Sequence, residues 1–454
     1  MHIAPVSGTV PLPVTPPPDH DRSPRRDVRL RGFAERADVE DVLRFLAAKS
    51  AALPAEPVAL LACAGRVLAE DVCAAVSVPS FARSAMDGFA VRGEDTFGAS
   101  DYDPVALKLL GQSLPGRPFA GRVGPGEAVR IMTGAPLPEG ADAVAMAEVC
   151  EERGAAVAVA EPVSPHKNVG AIGEDIRAGD VVLRAGRRLR AQDAGLLASI
   201  GVARVRCHAR PRVQLVITGD ELLAPGAQPV GPRIVDSNSV VLRALVARDG
   251  GLARDAAPLP DRRDVIRLAL ESSDADVILV SGGSSVGIED HAPGLVSELG
   301  TLDFHGIAMR PSSPAGIGRI PRRVSGETGP GPASPPGPDR WVFLLPGNPV
   351  SCLCAYEFFA GPTIRALGGR SRAWPHRRVR LPLARKLASQ IGRVDYVRVA
   401  IEDGRVVPLA TAGASILSST VRAAGCVIVA RGREGMAEGE EVEVLLYDED
   451  GLPQ

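Results

Sequence analysis

The chain has 454 residues, of which 45% are hydrophobic and 23% are charged, and its formal net charge is −2 at pH 7. This length predicts roughly three domains, each with its own core. The near-neutral charge excludes the basic face that a nucleic-acid partner usually requires, and no apolar run approaches the roughly 20 residues that span a bilayer. The first residues lack a secretory signal pattern, and the seven cysteines form no CxxC pair. A reduced, cytoplasmic protein without a membrane partner is therefore expected.

The first part of the chain predicts a tail followed by a domain that is built from two separated segments. Residues 1–27 are rich in Pro and charge and poor in large apolar side chains, which predicts a disordered tail. Residues 28–77 and 177–209 are assigned to one helical or linker domain. Helical periodicity supports this assignment in three stretches, at 39–51, 60–69 and 191–200.

The remaining segments predict one α/β domain and two small β-rich domains. Residues 78–176 alternate short apolar runs with Gly and Pro turns, which is typical of a β-rich domain. Residues 210–372 repeat the order strand, loop, helix, and this order predicts a doubly wound, Rossmann-like sheet with a ligand crevice at its carboxyl edge. Residues 321–340 interrupt the pattern as a flexible insertion, and residues 373–450 predict a β-barrel-like domain. The expected fold class is a multidomain α/β protein.

The most informative local pattern is the run VILVSGGSSVG at 277–287, which is followed by Glu289 and Asp290. A strand of uninterrupted apolar residues is typical of a parallel sheet that is covered on both faces. The glycines behind it let backbone N–H groups approach an anion closely, and the carboxylates that follow suit a metal ion. A tight turn remains the alternative for such a loop taken by itself.

Three polar turns of the predicted β-rich domain carry further candidate groups. Asp87 stands in SAMDGFA, Thr133 stands in IMTGAP, and Asp175 ends the run Gly-Glu-Asp. Each of these residues is also explained as an ordinary turn former. They become candidates for function only if the fold brings them to one place.

Six segments, in their order and spacing, resemble the MoeA family over about residues 38 to 447. They are SAMDGFAV at 84–91, IMTGAPLPEGADAV at 131–144, GEDI at 173–176, TGDEL at 218–222, SGGSSVGIED at 281–290 and LPGNPVS at 345–351. The resemblance implies a molybdopterin molybdenumtransferase similar to the E domain of gephyrin. Such an enzyme inserts molybdate into adenylylated molybdopterin and releases AMP and molybdenum cofactor, with Mg²⁺ as the divalent metal.

The resemblance also implies roles for individual acids and for a partner subunit. Three acids would hold Mg²⁺: Glu221, Asp261 and Asp290. Three residues of the β-rich domain would complete the catalytic pocket from a partner subunit and make the enzyme a homodimer: Asp87, Thr133 and Asp175. A molybdopterin adenylyltransferase and the recipient molybdoenzymes would be its protein partners. For each metal-binding acid the alternative is a helix cap or a solvated carboxylate.

Two loops would bind the pterin substrate according to the same resemblance. Four residues would cradle its phosphate: Gly282, Gly283, Ser284 and Ser285. Three residues of the next loop would line the same crevice: Gly347, Asn348 and Pro349. A rigid strand-to-helix turn, with Pro349 at the start of the helix, is the structural alternative for the second loop.

One segment departs from the family pattern where molybdate would bind. Members commonly carry a KPGKP-like stretch with two lysines, whereas this chain has Arg310-Pro311-Ser312-Ser313-Pro314. Arg310 keeps one charge in a forked geometry that is not equivalent to an ammonium group, and Ser313 keeps none. The departure leaves open a second hypothesis, a paralogue that binds, stores or delivers molybdopterin, or acts as a scaffold, without inserting metal.

Overall fold

The structure is a computed structural model that describes residues 35–254, 257–283, 290–322, 337–410 and 413–447. The predicted tail 1–27 lies outside this part of the chain. The first described segment contains α1 (Val39–Lys49), β1 (Ala55–Ala59) and β2 (Val72–Cys73). The helix predicted over 60–69 is wrong, because only Leu60–Ala62 form a 3₁₀ turn. Gly65 then adopts φ +80°, and the chain continues as extended backbone.

The β-rich region, residues 78–176, follows as an insertion between the two linker segments. Its strands are β3 (Arg83–Ser84), β4 (Gly88–Val91), β5 (Val105–Ser113), β6 (Glu127–Ile131), β7 (Ala143–Met146), β8 (Cys150–Arg153), β9 (Ala156–Val159) and β10 (Val169–Gly170). Six of them form one sheet in the order β7-β4-β6-β5-β9-β8. Apolar side chains are buried on both faces of this sheet, so the insertion has its own core.

The linker region, residues 35–77 and 177–209, closes around that insertion. Its second segment contains β11 (Val181–Leu183), α2 (Ala191–Ser199) and β12 (Arg204–His208). Strand β12 pairs with β1, and β11 pairs with β2, both antiparallel. Leu68, Leu189 and Leu197 are buried in the core between them. The buried face of α1, with Val42 and Leu46, packs instead into the core of the next region.

The α/β region, residues 210–372, contains the largest sheet and most of the helices. Its strands are β13 (Arg212–Ile217), β14 (Leu222–Leu223), β15 (Ile234–Val235), β16 (Leu252–Ala253), β17 (Val277–Ser281), β18 (Thr301–His305), β19 (Met309–Arg310), β20 (Gly316–Arg322) and β21 (Gly337–Leu345). Its helices are α3 (Asn238–Arg248), α4 (Arg263–Ser272), α5 (Ala292–Leu299), α6 (Pro349–Ala355) and α7 (Gly361–Leu367), with a π-helical turn at Tyr356–Ala360 between the last two. Residues 323–336, the middle of the predicted insertion 321–340, lie outside the described residues, and the flanking positions belong to β20 and β21.

The central sheet has the order β16-β13-β17-β21-β20-β18, in which the first four strands are parallel and the last two are antiparallel. Successive residues of β17 face opposite sides: Leu279 packs against α3, α6 and α7, and Ile278 packs against α4 and α5. Helices therefore cover both faces, which confirms the doubly wound fold. The register pairs Ile217 with Ser281 and Ser281 with Leu345. Three strands therefore end at the same edge.

The C-terminal region, residues 373–447, is a second all-β unit. It contains β22 (Arg378–Pro382), β23 (Leu387–Ala388), β24 (Val394–Glu402), β25 (Arg405–Ala410), α8 (Ser418–Val421), β26 (Gly425–Val429), β27 (Gly435–Met436) and β28 (Glu441–Leu446). Strand β19 of the α/β region joins its sheet by pairing with β24, which sets Arg310 beside Asp395. Across the described residues, no helix combines the length and apolar character that a membrane crossing requires.

Asp249 is the centre of a buried ionic network at the end of α3. Its side chain has no solvent exposure. Arg365 donates to its carboxylate at 2.8 Å, Arg248 donates at 2.9 Å, and the Tyr356 hydroxyl donates at 3.0 Å. Because these donors lie on α3, the π-helical turn and α7, the carboxylate fixes the three helical segments against one another.

Glu357 extends this network towards the C-terminal region. Arg248 forms a two-pronged ion pair with it at 2.6 and 2.9 Å, and His376 Nε2 lies 3.5 Å from the same carboxylate. Burial acts to raise the pKa of Glu357, but His376 and Arg248 outweigh that effect and lower the pKa to about 2. The stabilisation by this carboxylate is therefore present above its ordinary pKa near 4.5 and is lost as the pH falls towards 2.

Replacing Asp249 by Asn is expected to lower the free energy of unfolding by about 3 kcal/mol, because Arg365 would then lack a buried counter-charge and Arg248 would keep only Glu357. Asp264→Asn is the matched control, since the Arg262–Asp264 ion pair is largely exposed and should change stability by less than about 0.5 kcal/mol. Urea denaturation curves of the two variants would measure the difference. Equal midpoints would show that the network does not stabilise the fold.

Candidate functional site

Three loops meet where β13, β17 and β21 end. Gly282 and Gly283 follow β17 with φ of +98° and +53°. A Cβ atom on Gly282 would lie 2.1 Å from the Thr218 carbonyl oxygen, and one on Gly347 would lie 3.6 Å from Gly282 Cα. Only glycine permits this approach at position 282. The backbone of the β17 loop is thus packed closely between the other two loops.

Asn238 holds two of these loops together. Its buried side-chain amide donates to Ser281 Oγ at 2.9 Å and to the Gly347 carbonyl at 2.8 Å. Asp236, two residues earlier, caps α3 by accepting from the Ser239 N–H at 3.0 Å. The sequence analysis did not identify either residue. The available signal was the polar run Asp-Ser-Asn directly before a helix, which is a capping pattern.

Of the three predicted metal-binding acids, Asp261 lies beside the glycine turn of this edge. The Asp261 N–H donates to Asp220 Oδ1 at 3.2 Å, and a Cβ on Gly283 would lie 3.8 Å from Asp261 Oδ1. Glu221 folds back over Gly219 in the loop after β13. Asp290 is partly buried and directly precedes α5. Ser284 and Ser285 lie outside the described residues.

Polar atoms without partners point to a ligand at this edge. Three of the buried side-chain oxygens that have no hydrogen-bond partner among the described residues belong to the segments around this edge: Thr218 Oγ1, Asp236 Oδ2 and Asp261 Oδ1. Leaving such atoms unsatisfied costs roughly 1–3 kcal/mol each. A bound group that supplies the missing partners would recover this cost, so the edge is organised for a ligand that is both polar and charged.

The acids fit a magnesium site that is completed by substrate. The described ranges contain no group of three or more His, Cys, Asp or Glu side chains arranged to hold a metal ion. Mg²⁺ commonly takes only one or two carboxylates and completes its six ligands with water and substrate phosphates. Asp261, with its unpartnered buried oxygen, and Glu221 are suitable carboxylates for that kind of site.

A second pocket, of about 650 Å³, opens between the α/β and C-terminal regions. We call it the arginine pocket because five arginines line it: Arg36, Arg310, Arg393, Arg398 and Arg431. Ser313 also lines it, with a buried Oγ that has no partner among the described residues. Two carboxylates pair with three of these arginines: Asp38 with Arg431, and Asp395 with Arg310 and Arg393.

Asp395 orients two of the arginines. It is 1% exposed, its Oδ2 accepts from Arg310 at 2.6 Å, and its Oδ1 lies 3.0 Å from Arg393 Nε. Ser389 donates to the same carboxylate at 2.8 Å. The sequence analysis found a loss of lysines here. The structure shows instead that arginines from distant segments supply the positive charge, which no local pattern could reveal.

Asn348 connects the two sites. It lines the arginine pocket, accepts from Ser415 Oγ at 2.9 Å, and directly follows Gly347 of the glycine-lined edge. Pro349 begins α6, as expected for a strand-to-helix turn. The loop that the sequence assigned to substrate binding is therefore a shared wall between a carboxylate-bearing crevice and a cationic pocket.

The three candidates in the β-rich region form a separate group. The backbone N–H and the hydroxyl of Thr133 both donate to Asp87 Oδ1 at 2.7 Å. These two hydrogen bonds, the backbone one first, lower the pKa of Asp87. Asp175 is exposed, and its N–H donates to the Val78 carbonyl at 3.1 Å. Asp87 and Thr133 are thus brought together on a surface turn.

Taken together, these features define a multidomain α/β protein in which a glycine-lined, carboxylate-bearing crevice at the edge of a doubly wound sheet adjoins a cationic pocket. Three family models match the sequence: the MoeA N-terminal region (domain I and II) over 37–201, a probable molybdopterin binding domain over 214–366, and the MoeA C-terminal region (domain IV) over 380–447. The chain belongs to the MoeA family.

Individual relatives agree with this membership. The chain is 33% identical over 392 residues to the molybdopterin molybdenumtransferase of Haemophilus influenzae, covering 84% of this chain and 91% of that protein. It is 35% identical over 350 residues to molybdopterin molybdenumtransferase 2 of Mycobacterium tuberculosis, covering 74% and 81%. Its structure superimposes on the molybdopterin biosynthesis MoeA protein from Pyrococcus horikoshii with a TM-score of 0.77 and 31% identity, covering 91% and 100% of the two chains.

Proposed function

We propose that this protein transfers molybdenum from molybdate into adenylylated molybdopterin and releases AMP, in the final step of molybdenum cofactor biosynthesis. The observation that carries the proposal is the loop Gly347-Asn348, which borders the carboxylate-bearing crevice on one side and the arginine pocket on the other. A nucleotide-linked pterin and a dianionic metal oxide could then occupy neighbouring sites. The names of the relatives are consistent with this chemistry.

The crevice suits the phosphoanhydride end of the substrate. Backbone N–H groups around Gly282 and Gly283 can approach phosphate oxygens without steric hindrance. Mg²⁺ bound by Asp261 and Glu221, with water and phosphate oxygens as its other ligands, would neutralise those oxygens and polarise the bond to AMP. The carboxylates also keep other anions out of the crevice, so that phosphate enters only with the metal.

The arginine pocket suits molybdate as substrate. Arg310 and Arg393 are held by Asp395 with their remaining N–H groups available for a tetrahedral oxyanion. Ser313 Oγ lies in the same wall and lacks a partner among the described residues, so it can donate to an oxyanion oxygen. Arg310 and Arg393 share the single carboxylate of Asp395, so this pair of arginines keeps a net positive charge, which favours capture of a dianion.

We further propose that Asp87, Thr133 and Asp175 act from a partner subunit in a homodimer. Their turns in the β-rich region are exposed, and an exposed acid and hydroxyl could complete the crevice of a second copy. A molybdopterin adenylyltransferase would supply the substrate, and molybdoenzymes would receive the product.

Purified protein incubated with adenylylated molybdopterin, Mg²⁺ and molybdate is expected to release AMP, which chromatography would quantify. Asp261→Asn should slow release about tenfold or more because a metal-binding oxygen charge is lost, whereas Asp264→Asn, on the exposed face of α4, should not. Tight binding of the pterin without AMP release would contradict the proposal and would favour a paralogue that stores or delivers molybdopterin.

Arg393→Gln should raise the molybdate concentration needed for half-maximal AMP release by about tenfold, since one charge-assisted contact is worth roughly 1.5–3 kcal/mol. The rate at saturating molybdate should change little. Arg405→Gln, an exposed arginine of the same region outside the pocket, is the matched control. If the maximal rate of AMP release fell while the molybdate concentration for half-maximal release stayed unchanged, Arg393 would not be a molybdate-binding residue.

Mixing Asp87→Ala protein with Asp261→Ala protein should restore activity that neither variant has alone. Random exchange of subunits produces mixed dimers with one intact site each, so roughly a quarter of the wild-type activity is expected. The exchange can be followed by labelling the two variants with different fluorophores. If mixed dimers form and activity stays absent, the two acids serve the same subunit's site.

A further inference from the structure

We propose that this protein has a second anion site, distinct from the arginine pocket, that binds one small inorganic oxyanion such as phosphate. It is a cavity of about 160 Å³ at the seam between the linker and α/β regions. Arg66, Arg210, Arg370 and His208 line it, and we call it the seam cavity. It shares no lining residue with the arginine pocket.

Backbone carbonyls, rather than carboxylates, hold two of the three guanidinium groups in place. Arg210 donates to the Gly250 and Gly251 carbonyls at 3.1 and 2.9 Å. Arg370 donates to the Arg248 and Gly65 carbonyls at 3.0 and 3.2 Å. Such bonds fix the geometry of a guanidinium while leaving its positive charge uncompensated, as in a site built to receive an anion.

Arg66 supplies the third guanidinium and is the one with a carboxylate partner. It pairs with Glu56 and donates to the His208 carbonyl at 2.9 Å. The side chains that line the seam cavity, within the described part of the chain, include no acid. Asp249, next to Gly250 in sequence, is already bound to Arg248 and Arg365.

Burial and neighbouring arginines both act on the guanidinium groups of the seam cavity. Burial, and then the neighbouring Arg66, lower the pKa of Arg210. Burial and then Arg188 lower the pKa of Arg370, whereas Asp249 acts in the opposite direction. An anion among the three groups would remove this repulsion and would be worth more than at an exposed surface, because the groups are partly desolvated.

Two glycines make room for the cavity wall. Gly250 has φ +89°, and a Cβ there would lie 2.6 Å from Arg370 Cζ. Gly369 has φ +75°, and a Cβ there would lie 2.4 Å from His208 Cδ2. Without glycine at both positions Arg370 and His208 could not approach the seam, so the shape of the cavity depends on backbone that only these residues permit.

The size and position of the cavity define the ligand class and the consequence of binding. Pockets for nucleotides and drug-sized molecules usually exceed about 300 Å³, so the seam cavity suits a tetrahedral inorganic anion. An anion bound there would join the Gly65-Arg66 turn of the linker region to Arg210 and Arg370. Because it would bind only the folded protein, it should raise the thermal stability with increasing concentration.

The test uses the full-length chain and two variants of one residue. Ala64 is exposed and lines the cavity, so Ala64→Glu places a competing carboxylate at its rim without removing an arginine. Ala64→Gln is the uncharged control of equal size. Melting temperatures are measured in sodium phosphate against sodium chloride at equal ionic strength, and crystals soaked in tungstate locate bound oxyanion by its anomalous signal.

The phosphate-induced rise in melting temperature is expected to be the same in wild type and Ala64→Gln, and to fall by at least half in Ala64→Glu. Any contribution from the arginine pocket is common to all three proteins and cancels in the comparison. Tungstate should give an anomalous peak enclosed by Arg66, Arg210 and Arg370. Equal rises in the two variants, or a seam cavity without a peak, would overturn the proposal, whatever the outcome at the arginine pocket.

Discussion

The register of three parallel strands is the constraint on which the rest of this structure depends. Ile217, Ser281 and Leu345 are paired across β13, β17 and β21, so the residue after each strand emerges at the same edge. Buried apolar side chains on both faces fix that register, because a shift by one residue would turn every side chain of β17 to the wrong face. The loops after the strands therefore converge without any direct attraction between them.

Charge is separated across this edge rather than neutralised. Carboxylates of the loops after β13 and β16 face the glycine turn, and arginines of the β19 and β24 segments face the other side of the Gly347-Asn348 loop. Direct contact between the two sets would form ion pairs and leave neither able to bind a ligand. The backbone of the Gly347-Asn348 loop keeps the carboxylates and the arginines apart. Asp395 orients two arginines but neutralises only one of their two positive charges.

The buried ionic network at Asp249 and Glu357 connects these features to the remainder of the chain. It ties α3, whose first residue Asn238 holds the loop edge, to the π-helical turn and to His376 at the start of the C-terminal region. A π-helical turn shifts the following residues by one position relative to a regular helix. Here the turn carries both Tyr356, which donates to Asp249, and Glu357, which pairs with Arg248. The network thus joins the α/β core to the first residues of the C-terminal region through His376.

Much of the architecture and part of the site follow from the sequence alone. The apolar run 277–280 and the repeat of strand, loop and helix are local patterns, because burial on both faces demands uninterrupted apolar residues. Glycines that precede carboxylates likewise predict an anion-binding turn. Six short segments were enough to indicate the family. The helix predicted at 60–69 does not form, because apolar residues of this stretch lie in extended backbone that pairs with residues more than 100 positions away in sequence.

Only the tertiary structure decided where the positive charge lies. Arg36, Arg310, Arg393 and Arg431 belong to segments of the chain that are separated in sequence. All of them except Arg310 look like ordinary surface arginines in their own context. Strand β19 brings them together by leaving its own region to pair with β24. Electrostatic sites depend on distances of a few ångströms between such segments, and the strength of the interaction varies with burial. A local stretch of sequence predicts neither these distances nor the degree of burial, whereas it does predict hydrophobic periodicity and turn chemistry.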